Sequence, residues 1–211
     1  MRQPELMLLL SLLVVILAYP ALDHGDFRRL ILGGLMFVPV LLATIRLAKI
    51  KGWVWPSVFL MLCIVIFTLA NMFVFHKTLA GIKWGLLTVF FALTVVGLFS
   101  HLKNARVITN SHLYVAVSIY LLLAMQWFSL YRAIEVFYPR SISHEGGTMN
   151  QEAELLYFSL VTLTTIGYGD VVPLGGEVRM LAALEGVAGV LYIAITVALV
   201  VNAYKQGSSS R

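Results

Sequence analysis

The sequence predicts an all-α membrane protein with six transmembrane helices. A re-entrant helix and an irregular segment lie between helices five and six. Three observations carry this. Of the 211 residues, 60% are hydrophobic and 12% charged, with mean hydropathy +0.92, far too apolar for a soluble domain. The apolar residues fall into six stretches, 6–22, 30–48, 53–75, 79–102, 113–138 and 178–204, each close to the roughly 17 to 25 residues that cross hydrocarbon. Finally, Thr164-Thr165-Ile166-Gly167-Tyr168-Gly169-Asp170 fits neither helix nor strand. Gly167 and Gly169 accept positive φ without steric cost and let successive carbonyls turn to one side. Irregular backbone at membrane depth survives where it is buried or lines a watery path, and a ring of carbonyls there replaces an ion's hydration shell.

The first stretch follows a lone Arg2 and ends in Ala18-Tyr19-Pro20-Ala21, so a cleaved signal peptide is the competing reading for it. Stretches two and three hold Pro39 and Pro56, expected at a kink or, for Pro56, in a first helical turn. Residues 46–51 form a basic turn suited to topology anchoring or to anionic lipid headgroups. The fourth stretch carries one basic residue, Lys83, near its outer end, where it is expected to snorkel. A voltage sensor needs several Arg or Lys on that helix, so gating by a charged fourth helix is not expected. Residues 1–111 thus read as a four-helix transmembrane bundle like a voltage sensor without its charges. Residues 112–206 form a second domain, and 207–211 a tail or cloning remnant.

The fifth stretch is long, with Arg132 and Glu135 spaced to pair near its outer end. A polar loop at 140–150 contains Gly146-Gly147, and Thr148-x-x-Gln151 reads as a capping box opening a helix over 149–164. That helix is too short to span. Its C-terminal dipole end points at the membrane interior and favours a cation. The last stretch carries Glu185, Gly186 and Gly189 in its outer half. Small residues allow close helix approach or bending. An ionisable group at that depth is a functional candidate, coupling the pore loop to the last helix or fixing their packing as a protonated or paired glutamate.

Charge placement orients the chain. With the N-terminus cytoplasmic, eight basic residues face one acid, Glu5, inside, while seven basic residues face nine acids in the outer half. Eight basic residues against seven barely separate the sides by the positive-inside rule; the acids separate them more clearly, and since acids contribute little to insertion, their outer excess is read as concentrating cations at an entrance. Basic residues lie singly or in short clusters between spans, which argues against nucleic acid. The one cysteine, Cys63, excludes an intrachain disulfide and reads as a small apolar filler. The histidines, His24, His76, His101, His112 and His144, fall at span ends or in loops, without the in-membrane pairing of haem or metal ligands; pH sensing stays open for each. Trp53, Trp55, Trp84 and Trp127 read as interface anchors. No cluster of nucleophile, base or metal ligands suggests an enzyme, a small-molecule substrate or a cofactor.

The run from Thr164 to Asp170, between a re-entrant helix and a last span, resembles the potassium channel signature sequence. The resemblance covers about 113–204; the four preceding spans resemble six-helix members of that pore-loop superfamily in number only. It implies a selectivity filter in which the carbonyls of Thr165, Ile166, Gly167 and Tyr168 and the hydroxyl of Thr165 bind dehydrated K+, bounded by Gly169. It also implies a homotetramer in membrane lipid, one pore loop per chain. A tyrosine between the glycines resembles K+-selective members.

Gly189 falls at the family's inner-helix hinge, and Ile193 and Val197 would then face an apolar cavity. Thr164 and Asp170 flank the filter as supports. Where some members have a pore-helix glutamate as partner for the aspartate, this chain has Val161, and Tyr157 is placed to offer Asp170 a hydroxyl instead. The implied function is passive K+ conduction, in the plasma membrane, with both termini cytoplasmic. A non-selective cation channel and a secondary transporter are the alternatives, the latter lacking the second broken helix it would need.

Overall fold

The computed structural model describes residues 4–21, 28–48, 52–74, 76–103, 109–143 and 150–209. His24 and His144, the Gly146-Gly147 loop, the Thr148 cap and residues 49–51 of the basic turn lie outside the described residues. The described chain is helical: α1 (Pro4–Ala21), α2 (Arg28–Leu47), α3 (Val54–Phe73), α4 (Lys77–Lys103), α5 (Asn110–Phe137), α6 (Gln151–Leu163) and α7 (Gly176–Ser209). One isolated antiparallel bridge joins Ile142 and Pro173. By length and apolarity four helices qualify as membrane spans, in α3, α4, α5 and α7, while the described parts of α1 and α2 give shorter apolar stretches, Pro4–Tyr19 and Gly34–Leu47. The chain is a multi-pass membrane protein by these helices.

The core is built around α5, which touches α1, α4, α6 and α7. Phe128 is buried at its centre, and Tyr19 of α1 and Trp84 of α4 meet it edge to face, with ring centroids 5.5 and 5.4 Å away. This geometry suits the aromatic quadrupole and pins both helices to α5. Trp84 is therefore a core residue rather than an interface anchor, and Trp127 stacks on Tyr131. Trp55 is exposed as an anchor would be. Lys83 lies 4.4 Å over the Trp84 ring, which gives its ammonium a cation–π partner.

Helix α2 continues through Pro39, and Pro56 sits in the first turn of α3, where its missing N–H costs nothing. Arg46 near the end of α2 pairs with Glu5 at the start of α1 at 2.8 Å, so these two termini share one end of the bundle. The expected Arg132–Glu135 pair does not form. Arg132 Nε lies 3.6 Å from Glu152 of α6 instead. The Glu135 carboxylate turns to backbone, accepting from the Arg140 N–H at 2.6 Å, the Ser141 N–H at 3.1 Å and the Ser141 hydroxyl at 2.6 Å. The N–H groups of the turn that follows α5 need an acceptor, and supplying it outweighs an i to i+3 ion pair, which in isolated helices is worth only about 0.2–0.5 kcal/mol.

Helix α7 is left open. Its apolar side chains Met180, Leu184, Val187, Val190, Leu191 and Val201 are exposed, whereas much of α5 is buried within the chain.

Candidate ion-conduction site

Helix α6 positions the site. It is capped by Asn150, whose side chain accepts the Ala153 N–H at 3.0 Å, and Glu152 and Glu154 follow in the first turn. The described helix therefore begins at Gln151, one residue after the Asn150 cap, and ends at Leu163, within the 149–164 expected. Acids there complement the positive dipole end. At the other end the Thr164 N–H bonds the Leu160 carbonyl, the Thr165 N–H reaches Thr162 at 3.0 Å and the Ile166 N–H reaches Val161 at 3.0 Å. After that the helix cannot continue, because φ becomes +60° at Thr165.

Positive φ recurs at every second residue: +60° at Thr165, +59° at Gly167 and +83° at Gly169. No Cβ would meet a neighbour within the chain at Gly167 or Gly169, so backbone conformation rather than space demands glycine there. A β-branched residue at positive φ is strained, by of order 1–3 kcal/mol, and such strain concentrates at functional sites. Ile166 and Tyr168 stand exposed between these positions.

The Tyr157 hydroxyl donates to Asp170 Oδ2 at 2.7 Å, and the Tyr157 ring lies parallel to that of Tyr168 with centroids 6.4 Å apart. The second Asp170 oxygen accepts the Val171 N–H at 3.0 Å. The Tyr157 hydrogen bond holds the Asp170 carboxyl below its ordinary range, and the same bond pushes the Tyr157 hydroxyl up to about 12. Val161 is a buried residue of α6 and contributes its carbonyl to the turn. Beyond Asp170, the Ser143 N–H bonds the Val172 carbonyl at 2.8 Å and the Leu174 N–H bonds the Ser141 carbonyl at 2.9 Å. The turn gathered by Glu135 thus grips the segment that leaves the site.

Behind the site α7 runs as continuous helix through Gly186 and Gly189. A Cβ on Gly189 would collide with the Leu163 carbonyl, whereas one on Gly186 would find the Thr162 carbonyl at 3.7 Å. The close packing of α7 on the end of α6 therefore requires glycine at 189. Glu185, fully buried, meets Tyr131 of α5 and Ser159 of α6. Ile193 and Val197 lie further along α7 and are exposed. Tyr120 and Tyr192 stack at 5.7 Å and donate to the carbonyls of Leu163 (3.2 Å) and Ala116 (2.6 Å), crosslinking α5, α6 and α7. Of the histidines, His101 and His112 stack at 6.1 Å between α4 and α5.

Sequence reasoning missed Tyr120, Tyr131, Tyr192 and Ser159. Their signal was a polar atom within an apolar stretch, since a buried hydroxyl in such surroundings needs a partner.

Residues 115–206 match the model of a family described as ion channels, a transport family rather than an enzyme family. A putative potassium channel protein of Rhodopseudomonas palustris is 43% identical over 53 residues, which is 25% of this chain and 13% of that protein. Two rice proteins (Oryza sativa subsp. japonica), two pore potassium channels b and a, are 41% identical over 54 residues and 35% over 66, covering 25% and 31% of this chain. The alignments span 16% and 19% of the rice proteins, so less than a fifth of each relative's length is matched. No solved structure matches the chain. The resemblance to the potassium channel pore-loop superfamily is thus supported over the pore segment.

Proposed function

We propose that this ion channel pore segment makes the chain a subunit of a potassium-selective channel. The observation that carries the reading is the alternation of positive φ at Thr165, Gly167 and Gly169 directly beyond the C-terminus of α6. That backbone follows the negative end of a helix dipole, which favours a cation. Three proteins similar to parts of this chain bear the name potassium channel. Carbonyls of Thr165, Ile166, Gly167 and Tyr168 replace the hydration shell of K+, with the Thr165 hydroxyl below them and Gly169 at the outer end.

Four copies surround one axis, since a single pore loop per chain leaves the ring incomplete. The exposed Ile166 and Tyr168 and the open flank of α7 are consistent with that assembly. Ile193 and Val197 then line the inner cavity, and Gly189 serves the contact between inner and pore helices as well as any bending. Helices α1 and α2 complete a six-span subunit of two domains, 1–111 and 112–206, in the plasma membrane with both termini cytoplasmic. Conduction is passive and is not gated by a charged fourth helix.

The reading is tested with the purified chain in lipid vesicles. Fast K+ flux with little Na+ flux, from a complex of four chains, supports it. Equal K+ and Na+ flux indicates a non-selective cation channel.

A further inference from the structure

Glu185 lies in α7 with 0% exposure, and its bonded partners are hydroxyl groups. Tyr131 Oη is 2.7 Å from Oε2, and Ser159 Oγ is 2.6 Å from Oε1. Ser159 Oγ is also 2.8 Å from the carbonyl oxygen of Ala124 in α5. Among the described residues no Lys, Arg or His is bonded to the carboxyl.

Each of these three oxygen–oxygen contacts is as short as a hydrogen bond and needs a proton to bridge it. The Tyr131 and Ser159 hydroxyls bring one proton each, and a carbonyl brings none. An ionised Glu185 would therefore leave one short contact between two lone pairs. It would also bury a charge without a cation, which costs far more than a satisfied neutral group. A carboxylic acid supplies the missing proton.

We infer that Glu185 is a neutral acid and a positioning residue. It accepts from Tyr131 at Oε2 and donates from Oε1 to Ser159, whose own proton goes to Ala124. One continuous chain of hydrogen bonds then joins α7 to α6 and both to α5. Four residues further along α7, Gly189 packs so closely on the end of α6 that a Cβ there would collide with the Leu163 carbonyl. These two contacts on one face of α7 set where α6 ends, and Thr165 to Gly169 continue directly from that end. The effect on conduction rests on the channel reading above; the protonation does not.

The full chain in lipid bilayers provides the test. The infrared difference spectrum between wild type and Glu185→Gln should show the carbonyl band of a protonated carboxyl, lost in the variant. Glutamine keeps both an acceptor for Tyr131 and an N–H donor for Ser159, so its thermal midpoint and its K+ current decay should match wild type. Glu185→Ala and Ser159→Ala should each change the decay rate by about fivefold or more, the factor that a shift of roughly 1 kcal/mol gives. An ionised-carboxylate band, or a Gln variant that behaves like Ala, overturns the neutral acid. Ala variants with a lowered thermal midpoint but unchanged K+ to Na+ flux ratio and decay overturn the positioning role. Wild-type chain without K+ flux overturns the channel reading alone, while the band and the Gln rescue of stability still decide the protonation.

Discussion

The Tyr157 hydroxyl reaches Asp170 Oδ2 at 2.7 Å and ties the middle of α6 to the residue that ends the glycine-flanked run. The two residues are thirteen apart in sequence, so this bond closes a loop around the segment proposed to bind K+. Val161 offers no side-chain hydrogen bond, and the tyrosine one turn earlier provides the donor. Tyr157→Phe removes the bond while keeping the ring stacked on Tyr168. We expect the current to inactivate at a rate altered by about threefold or more, a charge-assisted bond discounted for its exposure. Single-channel or macroscopic records in bilayers check this, and an unchanged time course would count against it.

The same pair sets a pH window. Asp170 titrates below its ordinary 3.8, so its contribution is present above that value and is lost as pH falls through the lowered one. Tyr157 is raised from 10.0 to about 12, so its contribution is complete below 10 and is lost as pH rises through about 12. Inactivation controlled by this bond should therefore be flat on external titration from about pH 5 to 9, and change on acidification below the ordinary aspartate range. A midpoint near neutrality that persists in Tyr157→Phe would assign pH sensitivity to another group.

Gly189 and Gly186 separate close packing from mere smallness. Gly189→Ala drives a Cβ into the Leu163 carbonyl, a backbone atom fixed at the end of α6. A cost of about 1–3 kcal/mol is expected, seen as a lower thermal midpoint in detergent and loss of K+ flux. Gly186→Ala meets only an ordinary van der Waals contact and should leave both unchanged. Equal effects of the two substitutions would contradict the packing described.

Glu135→Ala removes the acceptor for the Arg140 and Ser141 N–H groups, on a carboxylate 4% exposed. The turn at 140–143 then loses its anchor and, with it, the bonds to Val172 and Leu174. A loss of about 1–3 kcal/mol is expected, together with greater protease access at the loop after α5. A wild-type digestion pattern would show that the bridge to 172–174 suffices alone.

Much of this was legible in the sequence, because hydrocarbon imposes length and apolarity on any spanning helix. The long stretches of α3, α4, α5 and α7 announce themselves, and positive φ falls at both glycines of the run. Thr165 was not readable as left-handed, since no local preference puts a β-branched residue there; the turn out of α6 imposes it. Partner choice was the weaker part. Spacing paired Arg132 with Glu135, but the end of α5 offers Glu135 stronger donors in its own turn, and α6 brings Glu152 to Arg132. Trp84 lies near a span end in sequence, yet packing on Phe128 buries it. Long-range contacts such as Tyr131 to Glu185, 54 residues apart, depend on how the helices cross.

The proposed function rests on selective K+ conduction through Thr165 to Gly169. Its most direct test is the reversal potential of the purified full chain in a planar bilayer, with K+ on one side and Na+ at equal concentration on the other. A K+-selective pore carries the current as K+ and displaces the reversal potential far toward that of a K+ electrode. A reversal potential at zero, with current of similar size carried by both ions, would contradict it.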